Sequence, residues 1–283
     1  MAVAEQFSAP IAGLGEGAFW NDRTNRFMMV DLLRGDVLTL DQSGAETRTH
    51  IDTIVSVLRL RTRGGFVAGV QRGIRFLTDD LEPDGDVITA FDDVGLRMND
   101  GGCDPQGRIY VGSMAYAETA GAGTLYRFDA DGTVEPVLAP VSISNGIQWS
   151  ADGSRVFYND TATRRIAVFD FDSTDGTLHD QRDFATLPDG IGSPDGMAID
   201  SEDGVWVALW GGSAVHRYDS EGRLTEVIEL PVSKVTCPTF GGPDRHTLYV
   251  TTASLDVPDE PAAGAVFRAD VGVPGATPYA FAG

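Results

Sequence analysis

Asp104-Pro105-Gln106-Gly107-Arg108-Ile109-Tyr110-Val111 is an acidic turn closed by glycine and followed at once by a β-rich run. Asp, Pro and Gly favour turns, and Ile, Tyr and Val fit a pleated strand. The same order returns in Ser150-Ala151-Asp152-Gly153 before Arg155-Val156-Phe157-Tyr158, and in Ser201-Glu202-Asp203-Gly204 before Val205-Trp206-Val207-Ala208. Weaker copies set Asn21-Asp22-Arg23 before Phe27-Met28-Met29-Val30, Arg63-Gly64-Gly65 before Phe66-Val67-Ala68, and Gly242-Pro243-Asp244 before Leu248-Tyr249-Val250. Residues 125–129, 166–170 and 215–219 repeat a further strand pattern ending in Asp, read as the outer strand of its unit. The copies recur every ~40 to 50 residues, the period of propeller blades. No long segment carries helical periodicity. The expectation is an all-β, six-bladed β-propeller that takes residues 1–283 as a single domain. A β-sandwich of similar composition would not carry this period.

In a propeller the innermost strands surround a central channel, so a residue at the mouth of each points at a common axis. Gly15-Glu16-Gly17, Ser144-Asn145-Gly146 and Pro194-Asp195-Gly196 each offer an oxygen side chain beside glycine where an apolar strand begins. Two carboxylates and one carboxamide are donors for a hard or borderline divalent cation. Read singly, Asn-Gly and Asp-Gly are also ordinary turn dipeptides.

Composition narrows the partners. The formal charge is -21, with 42 acidic against 21 basic residues. Such a surface repels nucleic acid and anionic membranes, and neither is expected as a partner. All the basic residues are arginine except Lys234, which is read as a surface residue. Cys103 and Cys237 form neither a disulfide framework nor a metal cluster, and both are expected as buried, reduced thiols. Residues 1–6 lack the basic and apolar regions of a signal peptide, and no apolar run reaches membrane-span length, so the cytoplasm is the expected location.

Several enzyme classes lose their usual support. The chain has no G-x-S-x-G elbow, no His-Glu-x-x-His helix and no P-loop. The glycines of Gly13-Leu14-Gly15-Glu16-Gly17 do not lead from a strand into a helix, so they are no dinucleotide fingerprint. His50, His179, His216 and His246 are scattered, and His216 is expected on the surface. Trp20, Trp149 and Trp206 read as blade core; Trp210, followed by two glycines, is the better candidate for a site wall.

Five blocks together resemble the regucalcin/gluconolactonase family, the senescence-marker-protein group that includes sugar lactonases and luciferin-regenerating enzymes. They are Leu14-Gly15-Glu16-Gly17-Ala18-Phe19-Trp20; the run from Arg97-Met98-Asn99-Asp100-Gly101-Gly102-Cys103 to Arg108; Ser144-Asn145-Gly146-Ile147-Gln148-Trp149-Ser150; Pro194-Asp195-Gly196-Met197-Ala198-Ile199-Asp200; and Thr236-Cys237-Pro238-Thr239-Phe240-Gly241-Gly242. The resemblance implies one divalent metal at the top of the channel, with Glu16, Asn145 and Asp195 as its protein ligands. It assigns Arg97, Asn99, Asp100 and Glu118 to the substrate, with Ala117 competing with Glu118 for that loop position. Ala18 departs from the family, where many relatives carry Pro after Glu-Gly.

The resemblance further implies metal-dependent hydrolysis of a sugar aldonolactone to the aldonic acid. Asp195 would then both ligate and accept the proton of the attacking water. The residues alone leave the metal open among Ca, Mg, Mn, Fe(II) and Zn, and the sugar open too. A monomer is expected, because closed propellers protect their strand edges. Three other readings share the scaffold: an organophosphate or aryl ester hydrolase, a non-catalytic calcium-binding regulatory propeller, and a metal-free, strictosidine-synthase-like enzyme.

Overall fold

The computed structural model describes residues 2–283 and is an all-β, six-bladed propeller: six antiparallel sheets of four strands each. The innermost strands, which define blades 1 to 6, are Gly15–Asn21, Val55–Leu60, Leu96–Cys103, Ser144–Trp149, Ser193–Ile199 and Val235–Gly241. Each of the six repeat copies proves to be the turn into the second strand of its blade, as in Ile109–Ala115 and Val205–Trp210. The pattern at residues 125–129, 166–170 and 215–219 lies in the third strand, not the outermost as expected. Val134–Val141, Thr177–Thr186 and Leu224–Glu229 lie outside it.

The repeat works because its aspartate does two jobs. Asp200 accepts the backbone N–H groups of Glu202 and Gly204, closing the turn. Its other oxygen accepts Trp206 Nε1 at 2.8 Å and Arg217 Nε at 2.7 Å, pinning the second and third strands. Asp104 does the same for Gln106, Arg108 and Tyr110. A buried carboxylate with this many donors stays satisfied without water.

Packing lies between blades. Each of six apolar clusters joins one blade to the next. Trp206 of blade 5 meets Phe240 of blade 6 edge-on at 5.8 Å, and Trp149 of blade 4 meets Tyr110 of blade 3 at 5.0 Å. The ring is closed by the N-terminus: Glu5–Gln6 pairs with Phe267–Asp270 as the outermost strand of blade 6. The C-terminal segment then crosses the lower end of the channel. Ala276 N donates to Ile199 O of blade 5, Phe281 N to Leu60 O of blade 2 and Ala282 N to Gly107 O of blade 3. A cavity of about 60 Å³ sits there, lined by Trp149, Met197, Phe240 and Tyr279 among others. Most of those residues lie toward the far ends of the inner strands, below the glycine-flanked oxygen donors, and Arg59 and Ala18 also line the cavity. Among the described residues no helix is long and apolar enough to cross a membrane.

Candidate active site

All six inner strands break register at the same level. The shifts fall between Glu16 and Phe19, Val55 and Val57, Met98 and Gly101, Ser144 and Ile147, Pro194 and Met197, and Val235 and Pro238. A bulge adds a residue to one strand and re-aims its side chain, and such features gather beside active sites. Glu16, Asn99, Asp100, Asn145 and Asp195 all sit at or next to these bulges. The Asn-Gly and Asp-Gly pairs are therefore inside strands and are not turns. Glycine follows the oxygen donor because the next blade comes too close for a side chain. A Cβ on Gly146 would lie 2.9 Å from Asp195 O and 2.8 Å from Met197 Cγ.

The donors gather in one buried neighbourhood. Glu16, Asp100 and Asp195 are buried to the same degree as core residues. Burial raises the Glu16 carboxyl well above its ordinary range, and the charges of Asp195 and Asp100 push the same way. Burial and Asp100 raise Asp195 likewise. Asp100 is pushed up to about 6 by burial, against the pull of Arg59. Mutual influence of this kind fits residues of blades 1, 3 and 5 held in one buried neighbourhood.

Arg97 is 7% exposed, so it is not a solvated loop cation. Its Nη1 donates to Met98 O at 3.0 Å and to Asn99 Oδ1 at 2.6 Å. Burial lowers its pKa, while Glu16, Glu118 and Asp195 supply negative potential around it. Asn99 Nδ2 donates to Ser144 O at 2.7 Å and to Asn145 Oδ1 at 3.1 Å. Both amide protons of Asn99 are thus spent on the protein, which makes it an orienting group for Arg97 and Asn145. Glu118 is exposed in the turn after Ile109–Ala115, within electrostatic reach of Arg97.

The residues fit a divalent cation on two observations. Asp195 Oδ1 is buried and has no hydrogen-bond partner, an arrangement that costs stability unless something else meets the oxygen. Three buried carboxylates also face only two buried guanidiniums, Arg97 and Arg59, leaving net negative charge when all are ionised. Among the described residues no three His, Cys, Asp or Glu side chains close into a cage by themselves. Glu16 and Asp195, with the amide oxygen of Asn145, would suit a metal that keeps open positions.

Residue patterns missed several members of this neighbourhood. Arg59 reaches from blade 2 to Gly101 O of blade 3 at 2.9 Å. A lone arginine inside Val55-Ser56-Val57-Leu58-Arg59-Leu60 was its only signal. Cys237 is buried in the apolar cluster between blades 6 and 1, within electrostatic reach of Asp100, Glu16 and Arg59. Asn159 Nδ2 donates to Asp195 O at 2.7 Å. Other expectations need correction or refinement. His216 is buried, not surface, and burial lowers its pKa. Lys234 is half-buried, with Nζ 4.8 Å above the Trp210 ring. Trp20, Trp149 and Trp206 are core, and both cysteines are free and buried, as expected.

Known proteins agree with this architecture. Residues 14–254 match the family model for the SMP-30/Gluconolactonase/LRE-like region. Regucalcin of Sus scrofa is 36% identical, covering 95% of this chain and 95% of its own. Pentonolactonase XacC of Haloferax volcanii is 34% identical, covering 93% and 92%. The crystal structure of a calcium-binding protein, regucalcin, from Agrobacterium tumefaciens superposes with a TM-score of 0.91 at 26% identity, over 99% and 98% of the two chains. The chain belongs to the SMP-30/gluconolactonase/LRE-like family.

Proposed function

We propose that this protein is a metal-dependent lactonase that opens a sugar aldonolactone to its aldonic acid. The observation that carries the reading is the unpartnered Asp195 Oδ1, buried within electrostatic reach of Glu16 and Arg97. The relative named pentonolactonase supports the substrate class, and the Agrobacterium protein described as calcium-binding supports a metal. Held by Glu16, Asn145 and Asp195, a divalent ion would supply Lewis-acid polarisation of the ring carbonyl. Arg97 has guanidinium donors beyond those given to Met98 and Asn99, and these orient the polyol and oppose charge on the carbonyl oxygen. Asp195 accepts the proton of the water that adds to the carbonyl carbon. The ring C–O bond then breaks, and the ring oxygen leaves with that proton as a hydroxyl. Asp100 supports the strand that carries Arg97 and Asn99 through its bond from Gly101 N at 2.7 Å. Glu118 guards the rim. A cytoplasmic monomer acting on a small sugar lactone completes the proposal.

The test is pH-stat hydrolysis of a panel of aldonolactones by protein stripped with chelator and reloaded with Ca²⁺, Mg²⁺, Mn²⁺, Fe²⁺ or Zn²⁺ in turn. Acid release that vanishes on stripping and returns with one ion is expected. Full turnover without metal would overturn the mechanism. Metal bound with no acid release from any lactone would favour the binding propeller that the regucalcin relatives suggest.

A further inference from the structure

A directed hydrogen-bond chain runs through the candidate site. Arg97 Nη1 donates to Asn99 Oδ1, Asn99 Nδ2 to Asn145 Oδ1, and Asn145 Nδ2 to Thr161 Oγ1 at 2.7 Å. Thr161 Oγ1 in turn donates to Pro194 O at 2.8 Å. A guanidinium can only donate and a carbonyl can only accept, so the two ends fix the sense of every link. Asn99 is held independently, because its nitrogen also meets Ser144 O at 2.7 Å. An amide oxygen and nitrogen are told apart by such networks, and here both neighbours of Asn145 agree.

We propose that Thr161 is a positioning residue that fixes the Asn145 amide with its oxygen toward the channel and ties it to the strand start bearing Asp195. The proposal rests on the metal-site reading given above. With its nitrogen occupied by Thr161, Asn145 cannot turn a donor toward a cation. Its oxygen keeps a lone pair beyond the one bonded to Asn99. The hydroxyl also joins two blades: Thr161 opens the 3-10 turn Thr161–Thr163 that follows the second strand of blade 4, Arg155–Asp160, and Pro194 lies one residue before Asp195 in blade 5. The backbone of Thr161 is itself anchored, its N–H donating to Ile143 O at 3.1 Å. Asp160 beside it accepts Ser142 N and Ile143 N at 2.9 and 3.0 Å. The hydroxyl therefore acts from a fixed point.

The test titrates Mn²⁺ into chelator-stripped wild type, Thr161→Val, Thr161→Ser and Asp195→Ala, with circular dichroism confirming the fold of each. Thr161→Val should bind Mn²⁺ roughly 10- to 100-fold more weakly, the usual effect of losing a partner that orients a ligand. Thr161→Ser, which keeps the hydroxyl, should stay close to wild type. Lactone turnover by Thr161→Val should recover at saturating Mn²⁺, because the residue acts through the metal ligands and not on substrate. Thr161→Ala probes the same hydroxyl if the valine variant does not fold. Wild-type affinity in Thr161→Val, or equal loss in the serine variant, overturns the proposal. Wild type that binds neither Mn²⁺ nor Ca²⁺, Mg²⁺ and Zn²⁺ overturns the site reading and this inference with it.

Discussion

Gly146→Ala places one methyl group between two blades at the level of the candidate ligands. The added Cβ would sit 2.8 Å from Met197 Cγ, 2.9 Å from Asp195 O and 2.9 Å from Met197 N. Carbon contacts are comfortable from ~3.5 Å. The Met197 side chain can move aside, but Asp195 O and Met197 N are backbone of the neighbouring inner strand. Blades 4 and 5 must therefore part by about half an ångström. Gly146 does not adopt a left-handed φ, so the cost is steric alone. Overpacking of this kind costs about 1–3 kcal/mol. In a domain of this size that lowers Tm by roughly 2–4 °C per kcal/mol. The same shift separates Asn145 from Asp195, so Mn²⁺ affinity and lactone turnover should each fall at least about tenfold, as expected when catalytic groups are misplaced by a fraction of an ångström. Gly272→Ala is the control, since nothing lies within 4 Å of a Cβ there. It also measures the loss of unfolded-state freedom that any Gly→Ala change brings. Calorimetry and Mn²⁺ titration on both variants decide the matter. Equal Tm and equal Mn²⁺ affinity in the two would refute the claim that this glycine is required by blade approach.

Asp195→Ala should abolish turnover and weaken Mn²⁺ binding while circular dichroism and Tm show an intact propeller; wild-type-like kcat would end the metal-site proposal. Arg97→Ala should raise KM or lower kcat with Mn²⁺ still bound, and loss of the ion would mean that its hold on Asn99 outweighs any contact with substrate. Asp100→Asn should stabilise the chelator-treated protein at pH 8 and leave it unchanged near pH 3. The folded carboxyl titrates at about 6, above the unfolded value of about 3.9. Its ionised form therefore costs stability above pH 6, about 3 kcal/mol at most, and the cost is gone once pH falls below the unfolded value. A variant whose Tm gain does not shrink on acidification would contradict this sign.

The repeat was legible because the aspartate-glycine turn solves the same local problem in blades 3 and 5, and the other blades carry weaker copies of it. Asp104 and Asp200 close the turn with backbone bonds and hold the next strand with side-chain bonds. Such chemistry leaves a short, regular trace in sequence. The strand count per blade was less legible. The outermost strand Thr177–Thr186 is largely exposed and has no apolar alternation to mark it. Blade 6 takes its outermost strand from Glu5–Gln6, at the opposite end of the chain, where only two residues pair. The lower closure by residues 276–282 depends on backbone bonds to Ile199, Leu60 and Gly107, which any sequence could make.

The site itself was half legible, and the bulges explain which half. All six inner strands carry the same irregularity, so the backbone offers six near-equivalent positions facing the channel. Blades 1, 3, 4 and 5 fill them with Glu16, Asn99 and Asp100, Asn145 and Asp195. Blade 2 offers Ser56 and blade 6 offers Thr236, and both hydroxyls are spent on backbone: Ser56 Oγ donates to Gly69 O at 3.3 Å, and Thr236 Oγ1 to Gly15 O at 2.6 Å. Those two positions lock neighbouring strands, while the other four gather charge and amide groups. A motif beside glycine reveals the positions that carry carboxylate or carboxamide, because close blade approach requires the glycine. It does not reveal Arg59 or Thr161, whose roles come from reaching another blade. What divides the readable from the unreadable is thus reach: residues acting on their own bulge leave a local pattern, and residues acting across a blade boundary leave none.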